Sequence, residues 1–247
     1  MPILNWSMIE SSEKREFMPG SERTLVSALI KDLARELGFQ KIGIARAEQL
    51  TEEGLRLQEW LARGFHGEMK WLEREPSQRS DPRQLFPEAK SVIVVALNYY
   101  TAYQHEVSRV STASFLLSPW ERLGEGAKHS DRIKWEHDER RALKSDSTSP
   151  RTGKVSRYAW GDDYHEIVGE KLRRLLSLIK EHWPDAVGKV CVDIQPTMDK
   201  AWAVRAGLGW MGKHTNIITE DYGSWIFIGE LLLNLELEYD EFEVADQ

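Results

Sequence analysis

Leu25, Val26, Leu29, Ile30, Leu33 and Leu37 recur at steps of three and four residues, so residues 21–37 are predicted to form a helix with one apolar face. Ser21 stands at its N-cap position and Gly38 closes it. "KIGIA", Lys41–Ala45, reads as a short strand, and Thr51 caps a second helix that runs through Trp60 and Leu61 and ends at Gly64. "SVIVVALNYY", Ser91–Tyr100, has no polar alternation and predicts a central strand buried on both faces. Ile167, Val168, Leu172, Leu175, Leu176 and Ile179 form the apolar side of a further helix. "GKVCVD" is the next strand, Thr197–Ala206 the next helix, and two β-rich runs around Glu220-Asp221-Tyr222-Gly223 read as a hairpin. Together these elements predict an α/β (α+β) fold. A single mixed β-sheet is flanked by helices and carries a C-terminal β-hairpin, in one compact domain over residues 21–247.

Two stretches break this pattern. Residues 1–20 are mixed in character and read as a flexible arm. Residues 101–154 interrupt the domain: positions 121–150 carry seven acidic and seven basic side chains and few aliphatics, which predicts a polar surface insertion, partly helical and partly disordered. An RNA-contacting loop is the functional alternative for that stretch.

Composition narrows the function classes. The chain has 247 residues, 41% hydrophobic and 30% charged, with a net charge of −7, which disfavours general nucleic-acid binding while allowing a local basic face. No apolar run approaches a membrane span and the N-terminus lacks a signal-peptide pattern, so the cytoplasm is the expected compartment. Cys191 is the one cysteine; it excludes an internal disulfide and a cysteine-ligated cluster, and reads as a buried strand residue. Ten tryptophans are many for this length.

"AGLGWMGKHT", Ala206–Thr215, spells G-x-G-x-x-G through Gly207, Gly209 and Gly212 and nearly spells a P-loop. Both phosphate motifs need a strand before the glycines and a helix after them. Here the order is helix, glycines, hairpin, and His214 occupies the place of the P-loop hydroxyl. A helix C-cap followed by a close backbone approach is the reading this order favours.

Six segments in sequence order carry a family resemblance: "LGFQKIGIA", "GFHGEMKWLER", "DPRQLFPEAKSVIVVALNYY", "SRYAWGDDYH", "VDIQPTMDKAWAVRAGLGWMGKHT" and "GSWIFIGELL". They resemble the N-terminal, cobalamin-binding catalytic domain of epoxyqueuosine reductases, oxidoreductases that complete the queuosine base in tRNA. The resemblance implies that the glycine turn at Gly209 and the following hairpin face a corrin ring. It also implies that Arg79, Ser156 and backbone groups near Ile217 and Ile228 touch the cofactor. Asp193 matches the family's general acid, expected to bind beside the cofactor and to protonate the epoxide oxygen, with burial raising its pKa in the needed direction. From the residues alone, Asp193 could equally cap the helix starting near Pro196, and Arg79 could be an ordinary surface arginine.

Gln195, Asp199 and Lys200 stand where the family has a small residue and a Glu-Arg pair, which bears on substrate positioning. Family members also continue into a cysteine-rich domain with two [4Fe–4S] clusters, which would begin where this chain stops at Gln247. The expected partners are therefore tRNA bearing epoxyqueuosine and an electron donor or cluster-bearing domain in cis or in trans. The alternative is a cobalamin-binding module without reductase activity. A third reading, an FMN-dependent nitroreductase-like enzyme, has no specific phosphate site to support it.

Overall fold

A computed structural model describes residues 20–101 and 156–240. The arm at 1–20, except Gly20, and the insertion at 101–154, except Thr101, lie outside the described residues. By internal contacts the chain divides into two compact units, Met1–Tyr100 with Gly161–Gln247, and Thr101–Trp160. In the second unit the described residues form one helical turn, Arg157–Ala159, and the Arg157 guanidinium donates to the Thr101 carbonyl at 3.1 Å.

The first unit contains helices α1 (Gly20–Glu36), α2 (Thr51–Ala62), α3 (Pro76–Ser80), α4 (Tyr164–His182) and α5 (Asp199–Arg205). Its strands are β1 (Lys41–Arg46), β2 (Ser91–Asn98), β3 (Gly188–Cys191), β4 (Trp210–Met211), β5 (Ile217–Ile218) and β6 (Ile226–Leu233). Four strands pair in the order β1-β2-β6-β3, antiparallel throughout, and β4 pairs with β5 in a separate two-stranded ribbon. Strand β2 is central and buried on both faces, as its unbroken apolar run predicts. Ile93 and Val95 face Val26, Ile30, Leu172, Leu175 and Ile179 of α1 and α4. Val92, Val94 and Ala96 join Leu50, Cys191, Trp202 and Leu208 on the α5 side. None of the described helices is long and apolar enough to cross a membrane.

The α+β class holds, with four differences of detail. The sheet is antiparallel and not mixed, because the long segments between β1, β2 and β3 let the chain return in either direction. The anticipated hairpin around Glu220–Gly223 is limited to one antiparallel bridge, Thr219 to Gly223, and the last two strands do not extend it into a ladder. Strand β6 has eight residues with both faces covered and takes the slot between β2 and β3, while the two-residue β5 folds back on β4. Ser21 lies inside α1. Thr51 is the first residue of α2, with Leu50 at the cap position and no side-chain cap.

The glycine segment resolves as helix end and ribbon. Gly207 has φ +71°, its N–H donates to Val204 at 2.9 Å, and the Leu208 N–H reaches back to Ala203 at 2.9 Å, a Schellman closure of α5. Gly209 is needed for a different reason: a Cβ there would lie 2.1 Å from the Ile218 carbonyl oxygen. That requirement is internal to the chain, so a side chain at Gly209 disturbs the fold itself. Gly209→Ala should cost about 1–3 kcal/mol in denaturant unfolding, the range for overpacking. Gly161→Ala, with nothing within 4 Å of the added carbon, should stay within about 0.5 kcal/mol.

Candidate active site

Asp193 follows β3 in a strained turn. Its φ is +55°, uncommon outside glycine and best tolerated by Asp and Asn, and the Ile194 N–H donates to the Val192 carbonyl at 2.5 Å across it. Gln195 pins this turn, its Oε1 accepting from the Val192 N–H at 2.8 Å. The side chain is thereby aimed at the first turn of α4. The Tyr164 hydroxyl donates to Asp193 Oδ2 at 2.5 Å, and His165 Nε2 lies 3.5 Å from the same oxygen.

Helix α4 begins so as to orient these partners. Asp163 is its N-cap, accepting from the His165 N–H at 3.0 Å, and the same Oδ1 lies 2.7 Å from His165 Nδ1. An ionised carboxylate can only accept, so the Nδ1 proton belongs to His165, and Nε2 is turned toward Asp193. Burial, then the hydrogen bond to Asp193, pushes the Tyr164 phenol well above its ordinary value, so it remains a donor at physiological pH. Tyr164 stacks on Phe227 with ring centroids 4.4 Å apart and 3° between planes. The row continues through Tyr99, 4.5 Å from Phe227, to Trp225, 5.8 Å from Tyr99. Only the Tyr164–Phe227 step is parallel; Tyr99 tilts by 31° and meets Trp225 edge-on at 80°, so the rings form a packed aromatic row ending at the acid.

The burial expected of Asp193 is not found: its side chain is 59% exposed, because the turn carries it past the end of the sheet. Two neighbouring carboxyls are more enclosed, one fully and one half-buried. Glu230 of β6 has no solvent exposure, and Asp199 at the start of α5 faces it together with Thr197. Nor does Asp193 cap α5: a loop intervenes, and Met198 holds the cap position without a side-chain bond.

The other anticipated contacts are distributed as follows. Arg79, on α3, is half-buried, with its guanidinium 5.2 Å from the centre of the Trp71 ring. Asp199 is the carboxylate whose charge acts on it, so it is not an isolated surface arginine. Ile217 is buried in β5 and Ile228 half-buried in β6, both on the α5 side of the sheet. Lys200 donates to the Thr215 carbonyl at 2.8 Å, tying the start of α5 to the tip of the glycine ribbon. Ser156 belongs to the second unit, exposed just ahead of its helical turn. Tyr164 and His165 stand in the "SRYAWGDDYH" motif but gave no sign of partnership with a residue almost thirty positions on. Glu230 offered only the sequence signal of a carboxylate inside an apolar strand.

Two substitutions separate the parts of this network. Tyr164→Phe should cost about 1 kcal/mol, the net value of one hydrogen bond, and speed amide exchange at 193–198. Asp163→Ala should cost about 1 kcal/mol through the lost cap and free the His165 ring, visible as a changed imidazole tautomer signal in nitrogen NMR. An unchanged tautomer population would remove Asp163 from the network.

Comparison with known proteins matches this architecture. The family model described as epoxyqueuosine reductase QueG, DUF1730, aligns with residues 79–116 and 132–194. The epoxyqueuosine reductase of Cellulophaga algicola is 38% identical over 214 residues, which is 87% of this chain and 56% of that protein. A solved epoxyqueuosine reductase from Bacillus subtilis, with an aspartate catalytic loop swung out of the active site, superposes with a TM-score of 0.63 at 27% identity, over 90% of this chain and 49% of its own. An epoxyqueuosine reductase solved with an epoxyqueuosine-modified tRNA stem loop gives 0.65 at 26%, again over 90% and 49%. A reductive dehalogenase shares the fold alone, at 12% identity and a TM-score of 0.50. The chain spans about half the length of the curated relatives it matches. Over that half, it belongs to the epoxyqueuosine reductase family.

Proposed function

We propose that this chain is the catalytic, N-terminal part of an epoxyqueuosine reductase, acting with cobalamin on epoxyqueuosine in tRNA. The observation that supports this most is the Asp193 carboxyl held by Tyr164 and His165 at the end of an aromatic row. Its relatives are named epoxyqueuosine reductases, and one was solved with a modified tRNA stem loop. The reading implies a cytoplasmic protein that meets tRNA.

The residues present suit a broad, flat, mostly apolar cofactor. Ile194, next to the acid, is 77% exposed, and Trp210 and Met211 are exposed on the glycine ribbon. Ile194, Trp210 and Met211, backbone near Ile217 and Ile228 and the Arg79 side chain would hold the ring system and its polar rim. Cobalamin, when bound and reduced, supplies a nucleophilic metal centre for opening the epoxide. Removal of the epoxide oxygen as water consumes a pair of electrons and a pair of protons, and this chain's residues handle the protons. Both contacts to Asp193 fall on Oδ2, which leaves Oδ1 to deliver a proton to the departing oxygen. Tyr164 fixes the carboxyl by donating to it. His165, oriented by Asp163, keeps Nε2 at 3.5 Å from Oδ2, and the exposed Asp193 carboxyl regains its proton from solvent.

The electrons come from elsewhere. Cys191 is the sole cysteine, fully buried, and burial pushes its thiol up to about 12, so it does not serve as a cluster ligand. The paired [4Fe–4S] clusters of the family reading would then sit in another domain or partner. That same observation favours a second reading, a cobalamin-holding module that is inactive by itself. Asp193→Asn discriminates chemistry from binding, and Asn tolerates the positive φ. With a chemical reductant and an epoxyqueuosine-modified stem loop, the variant should retain cobalamin affinity and lose roughly 10²–10⁴ in single-turnover rate. Parental turnover by the variant would refute Asp193 as the donor. No turnover by the reduced parent would favour the binding module.

A further inference from the structure

Glu230 stands where both ends of the Asp193 segment are anchored. Cys191, the last residue of β3, is its register partner across the β3–β6 ladder. Asp199, the first residue of α5, faces it from the other end of the segment. The Glu230 side chain has no solvent exposure, and neither of its oxygens has a hydrogen-bond partner at normal geometry. Thr197 supplies one hydroxyl, and it donates to Asp199 Oδ1. No lysine or arginine forms an ion pair with Glu230 among the described residues, and no three potential metal ligands converge there. A fully buried Glu230 and a half-buried Asp199 thus face each other beside the apolar cluster that contains Val94, Ala96 and Trp202.

Two negative charges so placed repel each other, whereas one proton between them turns repulsion into a hydrogen bond. We propose that Asp199 and Glu230 form a one-proton carboxyl pair that clamps the start of α5 to β6 and so positions the Asp193 segment. In this role they are positioning residues. The consequence for catalysis rests on the reading of Asp193 given above; the clamp itself does not. Loss of the proton would push α5 off β6 at Asp199 and loosen residues 193–198 while β3 stays paired.

Other charged groups face the pair. Asp193 acts on both carboxyls, Arg79 of α3 attracts Asp199, Cys191 adjoins Glu230, and Lys189 acts on the Cys191 side. Burial first, and then the mutual charge, drives Glu230 well above the usual carboxylate range; burial likewise raises Asp199. Raised carboxyls bind more protons in the folded than in the unfolded state above about pH 4, so stability must fall as pH climbs from the ordinary carboxylate range. Cys191 and Tyr164 are raised too, but from ordinary values of 9.0 and 10.0, so they do not titrate in that window.

The test uses the full 247-residue chain. Melting temperature and amide exchange of residues 193–198, corrected for intrinsic rates, are followed from about pH 5 to about pH 8.5 for the parent, Glu230→Gln and Asp199→Asn. The parent should lose melting temperature as pH rises, and exchange at 193–198 should accelerate on the order of tenfold, the factor carried by one unit of pKa displacement. Each amide variant, which donates a hydrogen bond without a titrating proton, should flatten both profiles. A parent whose stability and exchange are flat across this range overturns the proposal, as does a Glu230→Gln profile as steep as the parental one. Neither readout involves turnover, so failure of the assignment of Asp193 as proton donor leaves the result intact.

Discussion

The pairing of β6 between β2 and β3 is the constraint on which the site depends. Strand β6 fills the gap in the sheet and presents a different residue to each neighbour in turn. Phe227 lies under Tyr164, Glu230 sits beside Cys191 and faces Asp199, and Leu231 and Leu233 close the core against α4 and α1. Because β3 is short and ends at Cys191, the chain leaves the sheet opposite Glu230, close to where β6 passes from its buried to its half-buried part. The strained turn at Asp193 follows from that exit, and the contacts of Tyr164 and His165 follow from the turn.

Helix α4 supplies the other half of the geometry through Asp163. One carboxylate satisfies an orphan amide at the helix start and also orients the His165 ring, so the folding requirement and the site requirement meet in one side chain. The consequence is a rigid acid cluster at the edge of an aromatic row. Beside it stands the proposed carboxyl pair, with Glu230 fully buried and Asp199 half-buried. Such a pair is retained at a cost, since isosteric apolar residues would be expected to fold at least as well.

The sequence made legible those elements whose signal is periodic. The amphipathic face of α4 was readable because burial on one face imposes a repeat, and β2 because burial on both imposes an unbroken apolar run. Strand direction was not, since the alternation of strand and helix does not encode it. The Thr51 cap failed because Leu50 occupies the cap position. Gly209 was rightly identified as needing glycine, but the carbonyl of Ile218 is what requires it. Asp193 emerged from the family resemblance, while its exposure did not, because a left-handed turn at a non-glycine residue leaves no mark in composition. Glu230 and Asp199 were hidden for a related reason: a lone acidic letter reads as surface until the register of two strands and a helix brings it inside.

The most direct test of the account is amide hydrogen exchange of the chain with and without cob(II)alamin. Binding at the proposed site predicts slowed exchange confined chiefly to residues 192–198 and to the ribbon from 209 to 218. Unchanged exchange in both segments at saturating cofactor, or protection appearing only elsewhere, would contradict it.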